Sequence, residues 1–118
     1  MVKIYERDLK LHESLACYQR AFDIIFKVNG WRNPKAVEIC RKLVSRYWAE
    51  NRFDEASEHN MDLLQFMIEN KGRDDPEVGD LHDTMGSILR DMGQYQDAAH
   101  HFIRALDIKK KNDAVDID

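Results

Sequence analysis

The stretch GQYQDAAHHFIRAL, residues 93–106, decides the fold of this 118-residue chain. Two adjacent histidines, His100 and His101, stand in an alanine-rich run with Arg104, Gln94 and Gln96 close by, a grouping that could serve as a ligand or catalytic cluster. The spacing favours another reading. Gly93 tolerates the positive φ of a tight turn, and Tyr95, Ala98, Phe102, Ala105 and Leu106 step by three and four along one face of a helix. A shift of 42 residues lays Ala56 on Ala98, His59 on His101 and Leu64 on Leu106, and it also pairs Tyr5 with Tyr47, Glu13 with Glu55, Gly30 with Gly72 and Pro34 with Pro76. A histidine recurring at one repeat position marks a shared environment. His101 is therefore expected to be partly exposed, and His100 to be plain surface.

Working outward, the punctuation repeats with the core. NGWRNP and KGRDDP both hold a glycine four residues before a proline. After the first loop, Val37, Cys40, Leu43, Val44 and Tyr47 line one helix face; Phe53, Ala56, Met61, Leu64 and Ile68 line the next. Asp75 and Pro76 read as a cap and first-turn proline. Lys109, Lys110 and Lys111 suit the negative end of a closing helix. Asn51, 42 residues before Gly93, marks the turn of the earlier pair. The expected architecture is all-α: helix, tight turn, helix, longer loop, repeated, with about five helices and an N-terminal remnant around Tyr5.

Gly86, Leu89, Gly93, Tyr95, Ala98, Phe102 and Ala105 resemble the tetratricopeptide repeat pattern, whose standard unit is about 34 residues. The spacing of 42, with glycine and an acidic or amide residue before proline in the loop, is more specifically similar to kinesin light chain type repeats. The units would be a partial repeat at 1–28, repeats at 34–69 and 76–111, and a polar tail at 112–118. Ser14, Tyr18, Ala21 and Phe22 fit the second-helix series of the partial unit. Departures occur at Asn60, where the next unit has Phe102, and at Leu63, where it has the small Ala105. The resemblance implies antiparallel helix-turn-helix repeats stacked in a right-handed superhelix, with the first helix of each unit lining a concave surface.

Composition agrees with a soluble helical domain: 43% of residues are hydrophobic and 34% charged, with only 5 glycines and 2 prolines, too few turn signals for a sandwich or barrel. The net charge of −4 gives no reason to expect nucleic acid. No apolar run has signal-peptide or membrane-spanning length, which points to a cytoplasmic setting. Cys17 and Cys40 are read as buried, inert thiols. No GxSxG, P-loop, Rossmann fingerprint or HExxH is present; His59 and His82 read as surface histidines. No cofactor, no metal and no enzymatic activity are expected.

Charge is unevenly spread. Residues 29–52 carry Arg32, Lys35, Arg41, Lys42, Arg46 and Arg52 against Glu38 and Glu50; residues 74–91 carry Asp74, Asp75, Glu77, Asp80, Asp83 and Asp91 against Arg90. On the first helices, the positions free of the core place Arg41, Lys42, Ser45 and Trp48 beside Asp80, Asp83, Ser87 and Arg90. These eight form a candidate groove for a partner peptide or helix, bipolar in charge, with Trp48 as an anchor. The competing reading is a solvated face whose charges attract one another between helices, with Trp48 packed into the next repeat. Family members that clamp a C-terminal carboxylate use basic and amide residues at matching positions; here those positions hold Arg41 and Ser45, then Asp83 and Ser87, so an acidic tail is disfavoured. A scaffold or adaptor follows, or else a structural segment that forms homo-oligomers through exposed repeat ends.

Overall fold

Asn33 and Asp75 each precede a proline, and each starts a helix. In this computed structural model, which describes the backbone of residues 2–116 and the side chains of residues 14–113, the Asn33 carboxamide oxygen accepts from the Lys35 backbone N–H at 3.0 Å and the Asp75 carboxylate accepts from that of Glu77 at 2.8 Å. Proline follows at the first helical position, where its missing N–H is no loss. The helices so begun are α2 (Pro34–Ala49) and α4 (Pro76–Asp91). They alternate with α1 (Val2–Asn29), α3 (Phe53–Lys71) and α5 (Tyr95–Asp116), and a 3-10 turn, Gly30–Arg32, follows α1. Among the described residues there is no strand, and the fold is all-α, built from helical hairpins as the pattern implied.

The reversals inside the hairpins fall on Asn51, with φ of 61°, and Gly93, with φ of 82°. Leu9 lies 42 residues before Asn51, and a leucine side chain disfavours that left-handed conformation. The expected break after an N-terminal remnant therefore does not occur, and α1 runs unbroken. The packing of Tyr5 as such a remnant lies outside the described side chains. At the other end, α5 continues past Lys109–Lys111 to Asp116, so the lysines do not close it. Lys111 instead meets the Asp74 carboxylate at 3.2 Å, while Arg104 and Asn112 donate to the backbone carbonyls of Arg73 and Asp74. These contacts strap α5 to the loop between α3 and α4. Residues 117 and 118 of the polar tail lie outside the described residues.

Each helix packs on its neighbours in the chain, and α4 is the most enclosed, burying Val78, Leu81, Met85, Ile88 and Leu89. Beneath it lie Leu63, Leu64 and Met67 of α3, together with Asn60, whose Nδ2 donates to the Leu81 carbonyl at 3.1 Å. Each large apolar side chain so enclosed contributes about 1.5–3 kcal/mol. The first loop is anchored by Trp31, which stacks on Phe66 at 5.4 Å and meets Phe26 edge-on at 5.1 Å. Tyr47 ties three helices: its hydroxyl donates to Gln19 Oε1 at 2.6 Å and its ring stacks on His59.

Several apolar positions expected in the packing series are exposed. Met61 points outward, because Asn60 beside it takes the inward position. Tyr95 is 69% exposed and Leu106 50%, since among the described residues no helix covers that side of α5. Cys17, expected to be buried, is also exposed, whereas Cys40 is buried.

The small residue of the first helix has a direct cause. A Cβ on Gly86 would stand 2.9 Å from the Phe102 ring, too close for the ring to remain in place. The preceding hairpin holds Val44 and Asn60 at those two positions, so volume moves from one helix to the other between units. Gly86→Ala should therefore destabilise the chain by about 1–3 kcal/mol in urea or thermal unfolding, although alanine is the better helix former. Equal or higher stability would contradict this packing.

Candidate interaction surface

Helices α2 and α4 are joined by two side-chain ties. From the middle of α2 the Arg41 guanidinium reaches the carboxylate of Glu77, in the first turn of α4, at 3.4 Å; near the ends of both helices the Trp48 indole N–H donates to Asp91 Oδ2 at 2.7 Å. Both ties run in the same direction along the two helices. The face between them carries the candidate groove residues. Arg41, Lys42, Ser45, Asp80, Asp83 and Arg90 are exposed, and Trp48 and Ser87 are half-buried.

The structure divides this set. Trp48 uses its N–H on Asp91 and packs against the core, so its indole serves the junction between α2 and α4. Arg41 pairs with Glu77 rather than with Asp80 or Asp83, and Lys42 lies 3.8 Å from Glu38 on its own helix. Ser87 donates to the Asp83 backbone carbonyl, and Arg90 lies 3.5 Å from Asp91. Asp80 and Asp83 line a separate groove of about 510 Å³ between α4 and α5, whose floor includes Phe102, Ala105 and Leu106. Glu77 was not singled out by sequence, yet it is the hinge of the charge pattern. Lys71 Nζ bonds it at 2.7 Å, and that bond together with the Lys71 and Arg41 charges holds its carboxyl below the usual carboxylate range. The signal was present in the sequence only as one more acid among several.

His100 is exposed and His101 partly exposed, as expected, whereas His59 and His82 are not the surface histidines expected. His82 is buried, 8% exposed, and its Nδ1 lies 3.0 Å from Nδ1 of His101 across the α4–α5 seam. One ring must donate an N–H to the bare nitrogen of the other, so at least one of the two rings has to stay unprotonated. Burial, reinforced by His101, Arg104 and His100, pushes His82 down to about 4; burial and His100 lower His101, with Asp97 opposing. His59 is half-buried between the Tyr47 and Phe22 rings. The Cys40 thiol donates to the His59 carbonyl and is pushed up to about 12, chiefly by burial. That leaves it far from a nucleophile. Among the described residues, no group of three histidine, cysteine or carboxylate side chains is placed to hold a metal ion. No helix among them is long and apolar enough to cross a membrane.

The two hairpins, their turn residues and the small-against-aromatic contact at Gly86 and Phe102 agree with what a comparison with protein families finds. A family profile described as tetratricopeptide repeat matches residues 47–111, more than half of the chain. The chain belongs to the tetratricopeptide repeat family. Tetratricopeptide repeats are in general protein–protein interaction modules and typically non-enzymatic. In that setting His82 and His101 are packing groups at a helix seam.

Their titration gives a test with a defined sign. Both are held neutral in the fold, so below about pH 6.5 the unfolded chain takes up protons that the folded chain resists. Stability contributed by the pair is complete above that pH and is lost as pH falls towards 4. Chemical denaturation should show His82 alone accounting for a loss of about 2 kcal/mol between pH 7 and pH 5, absent in His82→Leu. Parallel pH profiles for the two chains would contradict the assignment.

Proposed function

We propose that this domain is a non-enzymatic scaffold or adaptor that holds a partner peptide or helix on the face formed by Arg41, Lys42, Ser45, Trp48, Asp80, Asp83, Ser87 and Arg90. The observation that carries the reading is the pair of ties between α2 and α4, which sets a basic row beside an acidic one while leaving six of these side chains exposed. A rigid, preformed, bipolar surface suits an extended segment that is acidic where it meets Arg41 and Lys42 and basic where it meets Asp80 and Asp83. In the family this is the concave side. The spacing of 42 residues between units, with glycine and then proline in each loop, supports a subclass like the kinesin light chain repeats, with cargo or complex adaptor work in the cytoplasm.

A second reading is favoured by one observation. Ile24, Val28, Ile103 and Leu106 are exposed on the first and last helices, surfaces through which repeat ends could join copies of the chain. Light scattering over a concentration series separates the two readings: a particle that remains monomeric removes self-assembly.

For the groove, peptides selected from a random display library on the intact chain should carry acidic and basic residues in a fixed order. They should lose about tenfold or more in affinity on Arg41→Glu/Lys42→Glu, with helicity unchanged by circular dichroism. Selected peptides that bind the charge-reversed chain and Trp48→Ala as well as the original would place the site elsewhere.

A further inference from the structure

The groove between α4 and α5 has an occupied twin inside the same chain. Leu64, on the α3 side of the twin, is 3% exposed because α4 lies over it; Leu106, 42 residues later, is 50% exposed on the floor of the open groove. In the twin, the incoming helix is held at its first turn: Glu77 of α4 is gripped by Arg41 of α2 at 3.4 Å and by Lys71 of α3 at 2.7 Å. The residues 42 positions after Arg41 and Lys71 are Asp83 and Asp113, and both line the open groove. The grip is therefore repeated in position and reversed in charge.

We infer that the α4–α5 groove docks an amphipathic helix of a partner protein that carries a lysine or arginine in its first turn. The apolar floor around Leu106 takes the helix seam, as Leu63 and Leu64 take the seam of α4. Asp83 and Asp113 take the cation where Arg41 and Lys71 take Glu77. Lys109 lines the groove at the position corresponding to Met67, so the seam is bordered by a charge rather than closed by a thioether. A second copy of the chain is a poor occupant. Its α4 would bring Glu77 to two carboxylates, and its α2, which has Lys35 at the matching first-turn position, already packs against α1. This surface is distinct from the Arg41 and Lys42 end of the concave face; Asp83 is shared by both, whereas Asp113 and Leu106 belong to the groove alone.

The test uses a synthetic helix with the right seam and the right cation: residues 33–50 with Cys40→Ala, held helical by a lactam on the outward side. Fluorescence anisotropy with the full chain should show saturable binding. A Lys35→Glu peptide should bind about tenfold more weakly, and a chain carrying Asp83→Lys and Asp113→Lys should invert that preference. Asp113→Lys alone should weaken the Lys35 peptide while leaving library peptides selected on the concave face unaffected. Leu106→Asp, a change at an exposed position, should abolish the binding with helicity preserved. Absence of binding, equal binding of the two peptides, or a preference that fails to invert would overturn the proposal. So would self-association in sedimentation that Leu106→Asp removes, because it would assign the groove to a second copy.

Discussion

A helical hairpin can bury one side of itself on its own; the other side depends on the next helix to arrive. That constraint governs this molecule. Leu63, Leu64 and Met67 become core only because α4 lies over α3, and α4 itself is enclosed only because α5 closes its opposite side. Stability in such an array is a chain of nearest-neighbour interfaces rather than one central core. The interfaces are set by small local devices. Prolines and their caps start α2 and α4, Asn51 and Gly93 reverse the chain, and Gly86 yields its volume to Phe102.

Charge follows the same logic of one unit meeting the next. The Arg41–Glu77 ion pair between α2 and α4 is exposed and worth at most about 1 kcal/mol. Its value, with that of the Trp48 hydrogen bond, lies in register: Arg41 on Glu77 and Trp48 on Asp91 set how the two first helices sit relative to each other. That fixed register makes the candidate groove a preformed surface. The residues 42 positions after Arg41 and Lys71 are Asp83 and Asp113, so the charge at these positions reverses between the two units.

Much of this was legible in the sequence, and the misses have physical causes. The prolines, caps and turn residues were readable because backbone conformations with few tolerated residues leave a local mark. The identity of α2 and α4 as the paired first helices followed from them. Periodicity, however, reports which face of a helix is apolar and not whether anything covers it. Tyr95, Leu106 and Cys17 belong to helical stripes and are nonetheless exposed. Helix α1 runs unbroken through Leu9, the position at which the other units have Asn51 and Gly93. Contacts between helices left no mark of their own. The buried His82–His101 pair, the Asn60 bond to α4 and the Trp31 anchor on Phe66 each join segments that are distant in the chain. At the candidate surface, the residue types were readable but their partners were not. Arg41 found Glu77, Trp48 found Asp91, and Asp80 and Asp83 also line a second groove, against α5.

Cover by the next helix, and not residue type, separates core from surface in this array. Leu64 and Leu106 are the same residue at corresponding positions, one 3% and the other 50% exposed. Equilibrium unfolding of Leu64→Ala and Leu106→Ala measures what that cover contributes. The account predicts a loss of about 2–5 kcal/mol for the first and less than about 1 kcal/mol for the second. Equal losses at the two positions would contradict it.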